Sequence, residues 1–269
     1  MTDQQSRIIS RDDLRKIVPA AFAQGPSDQV SDRYSFISTE KLIDQMEERG
    51  WAPVGGNQSK RKNVKDPAHT THMVIFEKIG SAVVKTVGGL VGRIMAFNNH
   101  MGRKALELLG GFLRLICSNG LMVSSGIAES NHFRVHKGDA NTGLDVALQG
   151  AVMQIESAEA QIDQWRATEL SRIDQIEFAG YALSVRYPDR PGKLPVSPLL
   201  EARRPEDTGS DLWTVFNRVQ ENLMIGGGTT NVFHPRRRLR RVTGISSAQR
   251  INQGLWALAQ RFATGKASR

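Results

Sequence analysis

The stretch His72–Lys78, HMVIFEK, decides the fold. Its β-branched and aromatic residues predict a strand. Further strand candidates lie on both sides of it, at Trp51–Val54 before it and at Val83–Val87 and Gly92–Phe97 after it. Short strands that follow one another, separated by turn residues, are typical of an antiparallel sheet. The sequence therefore predicts a β-meander in the N-terminal half.

Helices are predicted on both sides of this meander. Ser38 and Thr39 form an N-cap signal for a helix that ends at Gly50. The spacing of apolar residues over Arg103–Ile116 predicts a second helix directly after the strands. Two short strands are then expected, at Leu121–Ser124 and His132–Lys137.

The second half of the chain has a helical period. From Asp145 to about Val185 apolar residues recur at three, four or seven positions, which predicts one long amphipathic helix or two. Two more helices are expected, over Asp211–Met224 and from Ser246 or Ser247 to Phe262. The predicted class is α+β: an antiparallel β-meander packed with helices, then a long amphipathic helix and a helical C-terminal segment.

This order suggests four segments along the chain. Residues 1–30 are expected to be an irregular lead-in, in which Ser10 can cap a short helix through Arg11–Val18. Residues 31–185 are expected to form an α+β core that includes the long helix. Residues 186–198 contain four prolines and are expected to form a linker. Residues 199–269 form a helical, basic C-terminal segment.

The net charge of +9 comes entirely from one end of the chain. Residues 1–235 hold 27 basic and 27 acidic residues, whereas residues 236–269 hold nine basic residues and no acid. The single cysteine, Cys117, excludes an intramolecular disulfide and a zinc module built on cysteines. No apolar run reaches the ~18 residues of a membrane span, and the N-terminus lacks a signal peptide's apolar core. These features predict a cytoplasmic protein without a membrane partner.

The run HPRRRLRRVTG is the strongest electrostatic signal, with five arginines in six positions. Clustered arginines attract phosphates, which favours nucleic acid over a solvated basic stretch without a ligand or over a membrane surface. A second basic patch, SKRKNVK, has two equally weighted interpretations, phosphate contact or an ordinary charged hairpin tip. The predicted nucleic-acid-binding residues are Lys60, Arg61, Lys62, Lys65, Arg236, Arg237, Arg238, Arg240 and Arg241.

No motif predicts catalysis or a cofactor. The histidine pairs His69/His72 and His132/His136 lack further ligands nearby in sequence, so surface or packing roles are favoured over a metal site. The corners NNHMG and CSNG are dense in hydrogen-bonding groups, and turn formation is slightly favoured over ligand binding. The polar candidates at these corners are Asn99, His100, Arg103 and Asn119.

Several long strings resemble the phage- and plasmid-borne family called domain of unknown function nine-thirty-two. They are RYSFISTEKLIDQMEERGWAPV, IMAFNNHMGRKALELLGGFLRLICSNGLMV, FRVHKG, DLWTVFNRVQENLMIGG and GLWALAQRF. The NNHMG corner departs from the family pattern at Met101, where an acidic residue is usual. The resemblance implies a mobile-element context in a bacterial host cell and no established activity.

The order of elements is also similar to that of Rad-fifty-two-type single-strand annealing proteins. That likeness rests on the helix ending at Gly50, the meander and the helix over Arg103–Ile116. It implies an oligomer that binds single-stranded DNA. Trp51, Phe76 and Phe97 are candidates for base stacking, although their strand patterns favour core packing.

These observations predict a non-catalytic single-stranded nucleic-acid-binding protein, with single-stranded DNA favoured, acting as a homo-oligomer in annealing or recombination. The alternative is an accessory or anti-defence protein that binds a host protein. An enzyme built around His100, Cys117 and Asn119 is the third option.

Overall fold

The structure is a computed structural model, and it describes residues 8–31, 34–59, 67–79, 90–114, 122–124, 133–134, 140–189, 194–226 and 239–265. The chain forms two compact units. Residues 1–115 and 127–155 make up the first, and residues 116–126 and 156–269 the second.

The first unit is built on an antiparallel sheet, as the sequence predicts. Its strands pair in chain order, and a short strand pairs with the start of the fourth. The strands are β1 (Trp51–Gln58), β2 (His72–Lys78), β3 (Leu90–Asn98), β4 (Glu107–Arg114), and β6 (Phe133–Arg134) as the short strand on β4. The candidate strand Val83–Val87 lies outside the described residues.

One secondary-structure prediction is wrong: the stretch Arg103–Ile116 contains a strand rather than a helix. Its residues Glu107–Arg114 form β4 and pair with Leu90–Phe97 of β3. Gly110 and Gly111 lie in the middle of it, and glycine costs a helix about 1 kcal/mol per position relative to alanine. Cross-strand pairing to β3 therefore outweighs the helical spacing of the apolar residues. The predicted helix was one of the elements on which the likeness to annealing proteins rested, and that element is absent from Glu107–Arg114.

Three helices cover one face of this sheet. They are α1 (Arg11–Ile17), α2 (Thr39–Glu48) and residues 140–155 of α3 (Ala140–Arg166). Ser38 caps α2 as predicted, since its side chain accepts a hydrogen bond from the amide of Lys41. The shared core includes Leu14, Leu42, Ile43, Met46, Val74, Phe76, Ile94, Ala96, Leu108 and Ala151.

The second unit is mainly helical. It contains the short strand β5 (Met122–Ser124), residues 156–166 of α3, α4 (Arg172–Arg186), α5 (Leu212–Ile225) and α6 (Ile245–Ala263). The long period over residues 145–185 thus forms two helices, because Ser171 and Asp174 make a capping box that starts α4. Helix α5 is buried along most of its length, and Trp165, Trp213, Phe216 and Trp256 form an aromatic cluster around it.

The predicted α+β class is confirmed, with the sheet first and the long helices after it. Among the helices of the described ranges, none combines the length and the apolar character that crossing a bilayer requires.

Candidate functional site

The structure describes two of the predicted phosphate-binding residues, Arg240 and Arg241, and both are exposed. They follow the buried Leu239 and precede α6. The remaining candidates, Lys60, Arg61, Lys62, Lys65, Arg236, Arg237 and Arg238, lie outside the described residues, as does Asn119.

The backbone around Arg240 and Arg241 is anchored to the end of α5. The amide of Val242 donates a 2.9 Å hydrogen bond to the carbonyl of Met224. Gly226 ends α5 with a φ of 75°, and a Cβ atom there would lie 2.2 Å from the Leu239 carbonyl oxygen. Only glycine permits this approach. The two exposed arginines are therefore presented by a positioned backbone.

Arg186, the last residue of α4, also anchors the backbone at Arg240. Its guanidinium donates hydrogen bonds to the carbonyl oxygens of Leu223 and Arg240. Burial lowers the pKa of Arg186, which nevertheless stays a cation because arginine titrates far above neutral pH. This one side chain joins the end of α4, the end of α5 and the basic segment.

A further arginine reaches the same end of α4. Arg250 of α6 is exposed, and its Nη1 atom donates a 2.9 Å hydrogen bond to the carbonyl of Val185. A helix C-terminus carries the negative end of the helix dipole, which stabilises nearby cations. The guanidinium groups of Arg186 and Arg250 therefore lie at the end of α4, where Arg186 also bonds the Arg240 backbone.

Ion pairing distinguishes the two ends of the chain. In the first unit, arginines pair with carboxylates, including Arg11 with Asp44 and Glu47, and Arg49 with Asp145. No ion pair of Arg240, Arg241, Arg250 or Arg261 is found among the described residues. Residues 236–269 also contain no acid. The described arginines of this segment are thus available to an external anion.

The NNHMG corner after β3 is a buried hydrogen-bonded turn. The Asn99 side chain accepts from the amides of Met101 and Arg103 at 2.9 and 3.0 Å and donates to Thr71 Oγ1 at 2.9 Å. Asn98 Nδ2 donates to the Ile37 carbonyl and to Thr39 Oγ1, both at 2.9 Å. The side-chain groups of Asn98 and Asn99 are thus engaged in shaping the corner, while Arg103 is exposed.

Thr39 links the NNHMG corner to two buried histidines, His72 and His100. His72 Nδ1 lies 2.8 Å from the Thr70 carbonyl oxygen, which can only accept, so this nitrogen carries the proton. His72 Nε2 then accepts from the Thr39 hydroxyl at 2.8 Å. The His100 ring stands 4.8 Å from the His72 ring and 4.7 Å from the Phe36 ring, centroid to centroid.

Both histidines are neutral at physiological pH. Burial lowers the pKa of His72 to about 4. Burial, with His72 and His69 nearby, lowers the pKa of His100 to about 3. A neutral ring carries no charge with which to attract a phosphate. In the described part of the chain, no group of three or more His, Cys, Asp or Glu side chains has the arrangement of a metal site.

The three candidate stacking residues are buried. Trp51, Phe76 and Phe97 are 6%, 0% and 1% exposed. The interpretation that they pack in the core is confirmed, and none of the three exposes its ring for stacking on a base.

Sequence reasoning missed the residues that organise both sites. Thr39 gave only a capping signal, and Arg186 stood at the start of the proline-rich linker. Each acts on residues more than thirty positions away, which local periodicity does not register.

Comparison with known proteins shows a family match over most of the chain. The model of the family described as Domain of unknown function (DUF932) matches residues 26–256. The UPF0380 protein YfjQ of Escherichia coli is 29% identical over 263 residues, covering 97% of this chain and 94% of the relative. The UPF0380 protein YafZ of the same organism is 30% identical over 266 residues, with the same coverage of 97% and 94%. No solved structure matches the chain significantly.

Proposed function

The chain belongs to the family described as Domain of unknown function (DUF932), and from its own residues we propose that it binds single-stranded nucleic acid without catalysis. The exposed arginines of the C-terminal segment contact the phosphates. The observation that carries the proposal is the anchored pair Arg240 and Arg241, which the structure describes without a carboxylate partner.

Charge distribution supports this proposal over a general role in solubility. A solubilising charge is spread over a surface and interspersed with the opposite sign. Here nine basic residues fall within residues 236–269 and no acid accompanies them. Each phosphate that such residues neutralise releases counterions and adds salt-dependent affinity.

Anchoring supports it over an unstructured basic tail. The hydrogen bonds of Val242 to Met224 and of Arg186 to Arg240 fix the backbone before any ligand arrives. A positioned arginine loses less conformational entropy on binding than one on a free chain.

The test is a binding titration of the full chain with a labelled single strand over a range of salt concentrations. Replacing Arg240 and Arg241 by Ala should weaken binding. It should also make the fall of log K with log salt shallower, by about 1.4 in slope, since each single-strand phosphate contact contributes about 0.7. The matched control is Lys16→Ala with Lys41→Ala, which removes two exposed charges from the first unit. An unchanged affinity and slope in the arginine variant would contradict the proposal, as would equal losses in both variants.

Strand annealing is the biological role we propose for this binding. Mixing complementary strands with the protein and following duplex formation tests it directly. A rate no higher than that of the strands alone would separate simple binding from annealing.

Self-association is the second part of the proposal, and the exposed apolar residues of α4 support it. Ile173 and Ile176 are 69% and 42% exposed and lie one helical turn apart. Large apolar side chains grouped on a surface are typical of protein interfaces. Light scattering should give an oligomer for the full chain and a smaller species for Ile173→Ser with Ile176→Ser. A monomer at all concentrations would overturn the self-association and favour a host protein as the partner of this face.

A further inference from the structure

Helices α4 and α6 lie side by side in antiparallel directions. The Phe262 ring, near the end of α6, stands 5.1 Å from the Phe178 ring of α4. At the opposite end of the contact, Arg250 bonds the Val185 carbonyl. Gly254 lets the helices approach closely, because a Cβ atom there would lie 2.6 Å from Val185 Cγ1.

The exposed side of this helix pair carries two cations on α6. Arg250, Ala257 and Arg261 are all exposed, and their spacing of seven and four residues places them on one helix face. Arg250 and Arg261 are eleven residues apart, about 16 Å along the helix axis. Ala257, the exposed residue between them on this face, is small and uncharged.

An aromatic ring stands beside this stripe. Tyr181 of α4 is 47% exposed, although it is a large aromatic residue. Its ring meets the Phe262 ring edge-on at a centroid distance of 6.3 Å. One edge of the phenol is thus supported by the core, while half of the side chain remains open to solvent.

We infer that Tyr181 stacks on a base of a bound single strand whose phosphates are held by Arg250 and Arg261. This inference rests on the proposed function and identifies where on the second unit the strand lies. A half-exposed aromatic ring on a surface that also carries exposed arginines is an arrangement with which proteins bind single strands without reading their sequence. Duplex bases are already stacked and offer no free face, so the contact selects single strands.

The same surface continues to the anchored basic segment. Arg186 ends α4 and bonds the Arg240 carbonyl, while Arg250 bonds the neighbouring residue Val185. A strand held along α4 and α6 therefore has Arg240 and Arg241 at the end of its path. The basic segment adds affinity, and Tyr181 adds the preference for unpaired bases.

The experiment measures the affinity of the full chain for three ligands of equal length: a single strand, the same strand without bases, and a duplex. Tyr181→Ala should weaken binding of the intact single strand about tenfold, within the range that stacking contributes per base. Its binding of the abasic strand and of the duplex should match that of the unsubstituted protein. Its salt slope should also be unchanged, because no phosphate contact is lost.

Two variants serve as controls. Tyr181→Phe retains the ring and should bind the single strand as the unsubstituted protein does. Met153→Ala removes an exposed side chain of α3, which is not part of the proposed strand path, and should leave the affinity unchanged. Arg261→Gln should instead lower the salt slope with every ligand.

The outcomes separate this inference from the proposed function. If the Arg240 and Arg241 substitutions lower the salt slope while Tyr181→Ala binds the intact strand normally, the stacking role is wrong and the phosphate site stands. If Tyr181→Ala weakens the intact and abasic strands equally, the stacking role is also wrong. If the unsubstituted protein binds none of the three ligands, both are wrong.

Discussion

The carbonyl oxygen of Ala151 in α3 lies 1.8 Å from the point where a Cβ atom on Gly110 of β4 would stand. Helix and strand therefore touch backbone to backbone at this point. The Gly110 amide also donates a 2.7 Å hydrogen bond to Gln154 Oε1. This contact explains why glycine interrupts an otherwise apolar strand, and it joins α3 to the sheet.

The first prediction concerns this contact. Gly110→Ala should lower the free energy of unfolding by roughly 1–3 kcal/mol, the usual cost of overpacking a core. Urea denaturation followed by circular dichroism measures it. Gly55→Ala in β1 is the matched control, because a Cβ atom there meets nothing within 4 Å. Two variants of equal stability would show that α3 does not press on Gly110 in solution.

The second prediction concerns pH. The pKa of His72 is lowered to about 4 and that of His100 to about 3, whereas both histidines titrate near 6.5 in the unfolded chain. Below pH 6.5 the unfolded state binds more protons, so the free energy of unfolding falls as the pH drops toward 4. The slope is about 1.4 kcal/mol per pH unit for each histidine.

Urea titrations between about pH 7 and pH 5 test this, in a range where most carboxylates remain ionised. His72→Gln should reduce stability at pH 7 by removing the bond to Thr39, and it should flatten the pH dependence. Curves of equal slope for the variant and the unsubstituted protein would mean that His72 is not held neutral.

The third prediction separates positioning from charge. Arg186→Met removes the hydrogen bonds to Leu223 and Arg240. Arg240 and Arg241 themselves are not substituted, so their charges are retained. Nucleic-acid affinity should fall with little change in salt slope, and the Val242 amide should exchange its hydrogen faster. Arg172→Met is the control, since it removes an exposed charge from the start of the same helix. Equal binding by the two variants would rule out a positioning role for Arg186.

The fourth prediction concerns deletion of the basic segment. Removing residues 236–269 also removes α6, whose Leu255, Trp256 and Leu258 are buried in the second unit. We expect loss of near-ultraviolet circular dichroism from the aromatic cluster, so the deletion does not report on charge alone. Ending the chain after Gly265 retains α6 and should preserve that signal. Preservation of the signal in the longer deletion would show that the cluster forms without Trp256.

Local signals in the sequence predicted most of the fold. Ser38 marks the start of α2, and the apolar periods locate β2, β3, α5 and α6. Each signal concerns residues within a few positions of one another, where backbone preference and side-chain period act directly. At β4 such preferences were ambiguous, and pairing with β3 decided the outcome.

The sequence by itself determined the composition of the candidate site, a run of arginines with no acid nearby. Only the tertiary structure decided which cations are left unneutralised, because ion pairs such as Arg49 with Asp145 join residues distant in the chain. It also brought Thr39, His72 and His100 together, which makes those histidines neutral. Finally, it placed Arg186 against the Arg240 carbonyl and left Tyr181 half exposed, since burial and long-range hydrogen bonds exist only once the helices pack.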